Sequence, residues 1–178
     1  MLPHLQPSGA WRLAATLGNC NAYIGNAAEA HRLLDESLGL CDHLGNQEIL
    51  ARIYGFLAEV ALWNSDLPEA ERWLRQSLAA EAKLPWYVVE SVDVLFVAAC
   101  LAVAQQVYQL AAQRFGLAEQ VYNRIGQLQN AAMRPQIEAA LAIVRKQLDP
   151  TEFAAAFAVG HQMPLPEAFS TILAVPSS

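Results

Sequence analysis

Charge is scarce in this chain of 178 residues: Asp, Glu, Lys and Arg make up 16%, against roughly 25% in an ordinary soluble domain. Lys and Arg number 11 against 17 acidic residues, a net charge of −6. The few cations are scattered. Phosphate binding needs them clustered, so direct contact with nucleic acid is not expected. Cysteine is scarce as well. Cys20, Cys41 and Cys100 are odd in number and widely spaced, which argues against a disulfide framework and fits a reducing cytoplasm. Long apolar runs are missing too. VLFVAACLAVA, from Val94 to Ala104 between Asp93 and Gln105, falls well short of the roughly 20 residues a membrane span needs and reads as a buried helix. The opening MLPHLQPSGAW has no basic stretch leading into an apolar one, so no secretory signal is expected.

Signatures of chemistry are equally thin. No GxxxxGK[ST] loop occurs, so nothing is set up to cradle phosphates. No paired carboxylates or nucleophile–base order stands out, and neither enzymatic activity nor a cofactor is expected. Cys41 and His43 flank Asp42. Residues two apart on a helix point to different faces and no second cluster completes a ligand set, so no metal site is expected. His31 and His161 are isolated in sequence.

What the chain has instead is a repeat. NAAEAHRLLDESL from Asn26 is echoed by DLPEAERWLRQSL from Asp66. At an offset of 40, Ala30 matches Ala70, Leu34 matches Leu74, Ser37 matches Ser77 and Leu38 matches Leu78. Upstream, Leu17 matches Leu57 and Tyr23 matches Trp63. The equivalence of Ser37 and Ser77 suggests close packing rather than a nucleophile. A third pair fits at an offset of 42, with Ala112 for Ala70 and Gly116 for Leu74. Small residues recur late in each first helix, at Gly18, Ala58 and Cys100.

The periodicity is helical throughout, with little strand-like alternation. Ser8 is expected to cap the first helix, and Asn26 with Glu29 and Asp66 with Glu69 have capping-box spacing. Pro85 breaks the chain. Asp149, Pro150 and Glu152 open a late helix that Gly160 is expected to stop. Helix pairs recurring near every 40 residues signal an α-solenoid, because one hairpin buries only one face and needs the next to cover the other. The expected fold is all-α, a right-handed tetratricopeptide-like superhelix forming one domain. Its hairpins span about 9–46, 47–83 and 87–126, with capping helices over 133–174.

The segments LLDESLGLCDHLGN, AAQRFGLAEQVYNRIG and QLDPTEFAAAFAVGHQMPLPEAFSTILA are similar to phrases in the C-terminal tetratricopeptide region of bacterial signal-transduction ATPases. That group includes LuxR-type regulators such as the maltose-regulon activator. The closing phrase is the most specific of the three. The resemblance covers most of the chain and implies a cytoplasmic sensor or scaffold segment. Relatives carry ATPase and often DNA-binding or cyclase domains, for which this sequence offers no motif.

The first helices of tetratricopeptide pairs line a concave groove. Repeat phase places Arg12, Asn19 and Tyr23 there, with Arg52, Glu59 and Trp63 from the next pair, and aromatic and Arg side chains are favoured binding anchors. The first expectation for Tyr23 and Trp63 themselves is that they wedge adjacent hairpins, with the groove role carried beside it. Trp73 and Trp86 are expected to cover the linker at Pro85. The helix around Phe96 and Leu101 is apolar all round, which suits a central core helix or a homodimer contact. The expected function is a non-catalytic module binding a protein or peptide. Small-molecule effector binding and homo-oligomerisation are the alternatives.

Overall fold

The computed structural model describes residues 7–41, 46–84, 92–125 and 132–174. Over these residues the chain is all α, with no strand. The helices are α1 (Pro7–Tyr23), α2 (Ala27–Cys41), α3 (Gln47–Trp63), α4 (Leu67–Glu81), α5 (Val92–Ala104), α6 (Tyr108–Ile125), α7 (Arg134–Gln147), α8 (Pro150–Gln162) and α9 (Leu165–Ala174). The chain forms two compact units, Met1–Leu84 and Pro85–Ser178, divided at the proline that the sequence marks as a break. None of the described helices is long and apolar enough to cross a membrane.

Unit 1 holds two helix hairpins. α1 pairs with α2 and α3 with α4, while α2 and α1 both pack on α3. Trp11, Ala15, Leu34, Ile53, Leu57 and Val60 lie in one buried cluster. Gly18 permits the close approach of α1 and α2, since a methyl there would sit 2.8 Å from Leu34 Cγ and 3.1 Å from the Ala30 carbonyl oxygen. The repeated serines are buried and do matching work. Ser37 Oγ donates to the Trp11 carbonyl at 2.8 Å, and Ser77 Oγ donates to the Ala51 carbonyl at 2.7 Å. Each ties the second helix of its pair to the first, at positions 40 residues apart in sequence.

The hairpin turns repeat more faithfully than the letters. Gly25, Ser65 and Gln106 all adopt positive φ, at 80°, 61° and 63°. In each turn the left-handed residue's amide bonds three residues back, and the next amide five back. The pairs are Gly25–Ala22 and Asn26–Asn21 (3.1 and 2.8 Å), Ser65–Leu62 and Asp66–Ala61 (3.0 and 2.9 Å), and Gln106–Val103 and Val107–Ala102 (both 2.9 Å). This is the Schellman closure of a helix C-terminus. It sets the third repeat at an offset of 41 from Ser65 to Gln106, not 42. Ala111, Phe115 and Ala118 therefore take the places of Ala70, Leu74 and Ser77, and all are buried. Ala99 rather than Cys100 continues the small position of Gly18 and Ala58. Gly116, freed from that series, serves a different contact.

Several helix ends differ from expectation. α1 already includes Pro7, so Ser8 lies within the first turn instead of capping it. Asn46 caps α3 by accepting from the Glu48 and Ile49 amides, and Asp66 accepts from the Glu69 amide. Asn26 donates its side-chain amide to Asn21 Oδ1 at 3.2 Å. Glu29 and Glu69 turn forward to Arg32 and Arg72, because a charged fork one turn on competes well with a backbone amide. Asp149 and Glu152 do close a full capping box, at α8. The Glu152 and Thr151 amides hold the Asp149 carboxyl below its ordinary range.

Unit 2 packs the α5–α6 hairpin with α7 against both helices and α8 along α6. Gly160 does not stop α8, which runs on to Gln162. A methyl on Gly160 would overlap the Gln113 carbonyl, and one on Gly116 would overlap the Phe157 carbonyl. Here α6 and α8 meet backbone to backbone, and that contact is why both glycines are buried. Phe96 and Leu101, read from sequence as either core or self-contact residues, are 7% and 1% exposed, so they belong to the core and offer almost no surface to a second copy. Trp73 stacks on Tyr54 at 5.5 Å with the Arg72 guanidinium 3.8 Å from its ring, so it covers α3. Trp86 lies outside the described residues.

Three stability tests arise from these backbone positions. Ser65→Gly and Gln106→Gly should each stabilise by about 1 kcal/mol in urea unfolding, as a 1–2 kcal/mol left-handed penalty is relieved at some cost in chain entropy. Gly25→Ala should destabilise by a similar amount. Separately, Gly116→Ala and Gly160→Ala should each cost about 3 kcal/mol, since neither backbone can yield. Gly39 in α2 has nothing near a methyl, and Gly39→Ala should gain roughly 0.5–1 kcal/mol.

Candidate functional site

α1 and α3 lie side by side in unit 1 and bring together three of the six residues expected to face a groove. Tyr23 Oη donates to Glu59 Oε1 at 2.7 Å. The Tyr23 and Trp63 rings meet at 4.7 Å and 57°. Both rings stay half-buried. Asn19 stands one turn before Tyr23 and is buried, with its Oδ1 unpartnered. Arg12 is exposed, its guanidinium 5.5 Å from the Trp11 ring, and Arg52 is half-buried.

These residues divide by role. Glu59 is only 2% exposed; a buried carboxylate needs hydrogen-bond partners, and Tyr23 supplies one. The Tyr23–Glu59 bond therefore ties the two hairpins together. The half-buried ring pair packs between the two hairpins as a wedge. Glu59 itself is too enclosed to meet a ligand as a surface charge.

The remaining chemical candidates are placed as follows. Ser37 and Ser77 are fully buried with their hydroxyls committed to carbonyls. Cys41 is 1% exposed, and burial pushes its thiol up to about 11, the wrong direction for a thiolate ligand or nucleophile. Asp42 and His43 lie outside the described residues. Among the described residues no group of three or more His, Cys, Asp or Glu is placed to hold a metal ion. His161 Nε2 stands 3.9 Å from Glu119 and its ring stacks on Phe157.

Unit 2 contains a cavity of about 310 Å³ that sequence reasoning missed. Phe96, Phe115, Tyr122 and Phe157 line it, with Glu119, Glu138 and Arg134 among its charged groups. Four helices contribute, so no local motif announces it. The available signals were the seven-residue spacing of Phe115 and Tyr122 on α6 and the four-residue spacing of Arg134 and Glu138 on α7.

Compared with known proteins, the chain matches no family model, no curated protein and no solved structure.

Tyr23→Phe should lower stability by about 1.5 kcal/mol, the lower range for a bond to a charged group, because it leaves Glu59 short of a donor. Thermal and urea unfolding of the variant would measure this. A change near zero would show that the bond contributes little to joining the hairpins.

Proposed function

We propose that this chain is a non-catalytic interaction module, a tetratricopeptide-like scaffold that captures a protein or peptide segment. The face used is the one α1 and α3 share in unit 1. The observation that carries this reading is the Tyr23–Trp63 ring pair, half-exposed and seated on a buried tie between equivalent positions of two repeats. Arg12 and Arg52 occupy a second equivalent pair on the same two helices. Rigid aromatics with Arg nearby are the residue types that dominate binding energy at interfaces. With Glu59 enclosed, the charge this face presents includes the exposed Arg12, which suits an acidic segment carrying an apolar side chain. The sequence resemblance to the sensor regions of bacterial regulators agrees with a scaffold role, and a regulator is the setting proposed.

The test is selection of peptides from a random display library against the purified chain, followed by anisotropy titration. Enriched peptides should be acidic with an apolar residue. The paired Arg12→Ala and Arg52→Ala change should weaken them about tenfold or more, near 1.4 kcal/mol, with the melting temperature little changed. Binding indifferent both to that change and to Trp63→Ala would remove this face from consideration.

A further inference from the structure

We infer that the cavity of unit 2 is a receptor site for a small organic cation, an amine or quaternary ammonium group carried on an apolar body. The inference concerns unit 2 alone and does not depend on peptide capture by unit 1.

The volume, about 310 Å³, is at the lower end of the range that small-molecule sites occupy. Its lining is graded. Phe115, Ile137 and Phe96 are 1%, 3% and 7% exposed and form an apolar floor. Tyr122 and Phe157 are half-buried, and Glu119 and Glu138 are exposed. A ligand with one apolar end and one charged end fits that gradient, its body on the floor and its head level with the two half-buried rings.

The sign of the head follows from two features. Aromatic faces carry negative electrostatic potential and attract cations, most of all ammonium and guanidinium groups. The carboxylates outnumber the guanidinium of Arg134, leaving one net negative charge at the mouth. Glu138 is in no ion pair among the described residues, and Glu119 meets only the imidazole of His161, at a long 3.9 Å. Neither carboxylate is thus neutralised by a fixed cation at close range. A neutral ligand would leave this charge unused, and an anion would meet it at a disadvantage.

A matched series with one body and three heads tests the idea on the full chain: phenylpropylamine, phenylpropanol and phenylpropanoate. Binding is followed by calorimetry and by shifts of the Tyr122 and Phe157 ring signals. The amine should bind with Kd of about 1 mM or tighter, a reasonable affinity for so small a ligand, and about tenfold more tightly than the alcohol. The anion should bind weakest. Joint Glu119→Gln and Glu138→Gln should erase the amine's advantage while leaving alcohol binding unchanged, and Leu141→Trp should fill the cavity and block both. Raised salt should weaken the amine and not the alcohol. Equal binding of amine and alcohol, tighter binding of the anion, or no shift at either ring would each overturn the inference. The series in the unmodified protein decides the sign of charge by itself, even if a variant fails to fold.

Discussion

Three backbone positions with left-handed geometry govern this molecule. A helix hairpin needs its two helices antiparallel, close and in fixed rotation, and the Schellman turn at Gly25, Ser65 and Gln106 provides all three through two main-chain bonds. Once the turn is fixed, the first inward residue of the second helix must be small, and it is alanine each time: Ala30, Ala70 and Ala111. One turn later comes a large apolar residue, Leu34, Leu74 or Phe115. The serine hydroxyls of the first two hairpins then lock the axial register, because a bond to a single carbonyl of the opposite helix is broken if the helices slide. In the third hairpin Ala118 fills the same space without that bond, and the buried Arg114 ties α6 to α5 instead by donating to the Ala98 carbonyl at 2.9 Å.

How far the sequence could be read follows from where its information sits. Helix identity and most boundaries were legible because apolar spacing, caps and prolines are local signals. The first two repeats were legible because side chains carried them. In the third, the turn kept its geometry with Gln106 at a position where glycine or serine stood before, and backbone geometry leaves little trace in letters. That is how an offset of 42 came to be inferred where 41 holds. Gly160 misleads for a related reason: a glycine late in a helix reads as a stop, and only the crossing of α6 shows why the methyl is excluded.

The candidate sites show the same division. Tyr23, Glu59 and Trp63 could be found by repeat phase, since equivalent residues of neighbouring first helices must lie side by side. Their sorting into a buried tie and a half-buried pair of rings needed the packing. The cavity could not be found at all by phase, because it gathers side chains from α5, α6, α7 and α8, and the last two lie outside the repeat. A helix that is apolar all round, like the one carrying Phe96 and Leu101, leaves core and self-contact undecided from sequence alone. In the folded chain both are enclosed, and Phe96 meets Phe115 at 6.5 Å.

The main-chain crossing of α6 and α8, with Gly116 against Phe157 and Gly160 against Gln113, has a consequence for how such a chain can change over time. Where side chains interdigitate, a loss on one helix can be answered by a gain on the other, and lineages drift through compensated pairs. Main chain against main chain offers no such exchange, since nothing smaller than glycine exists and nothing larger fits. Unit 2 can therefore vary around this crossing, in its turns and at its exposed faces, while the crossing itself is either inherited intact or abandoned for another fold.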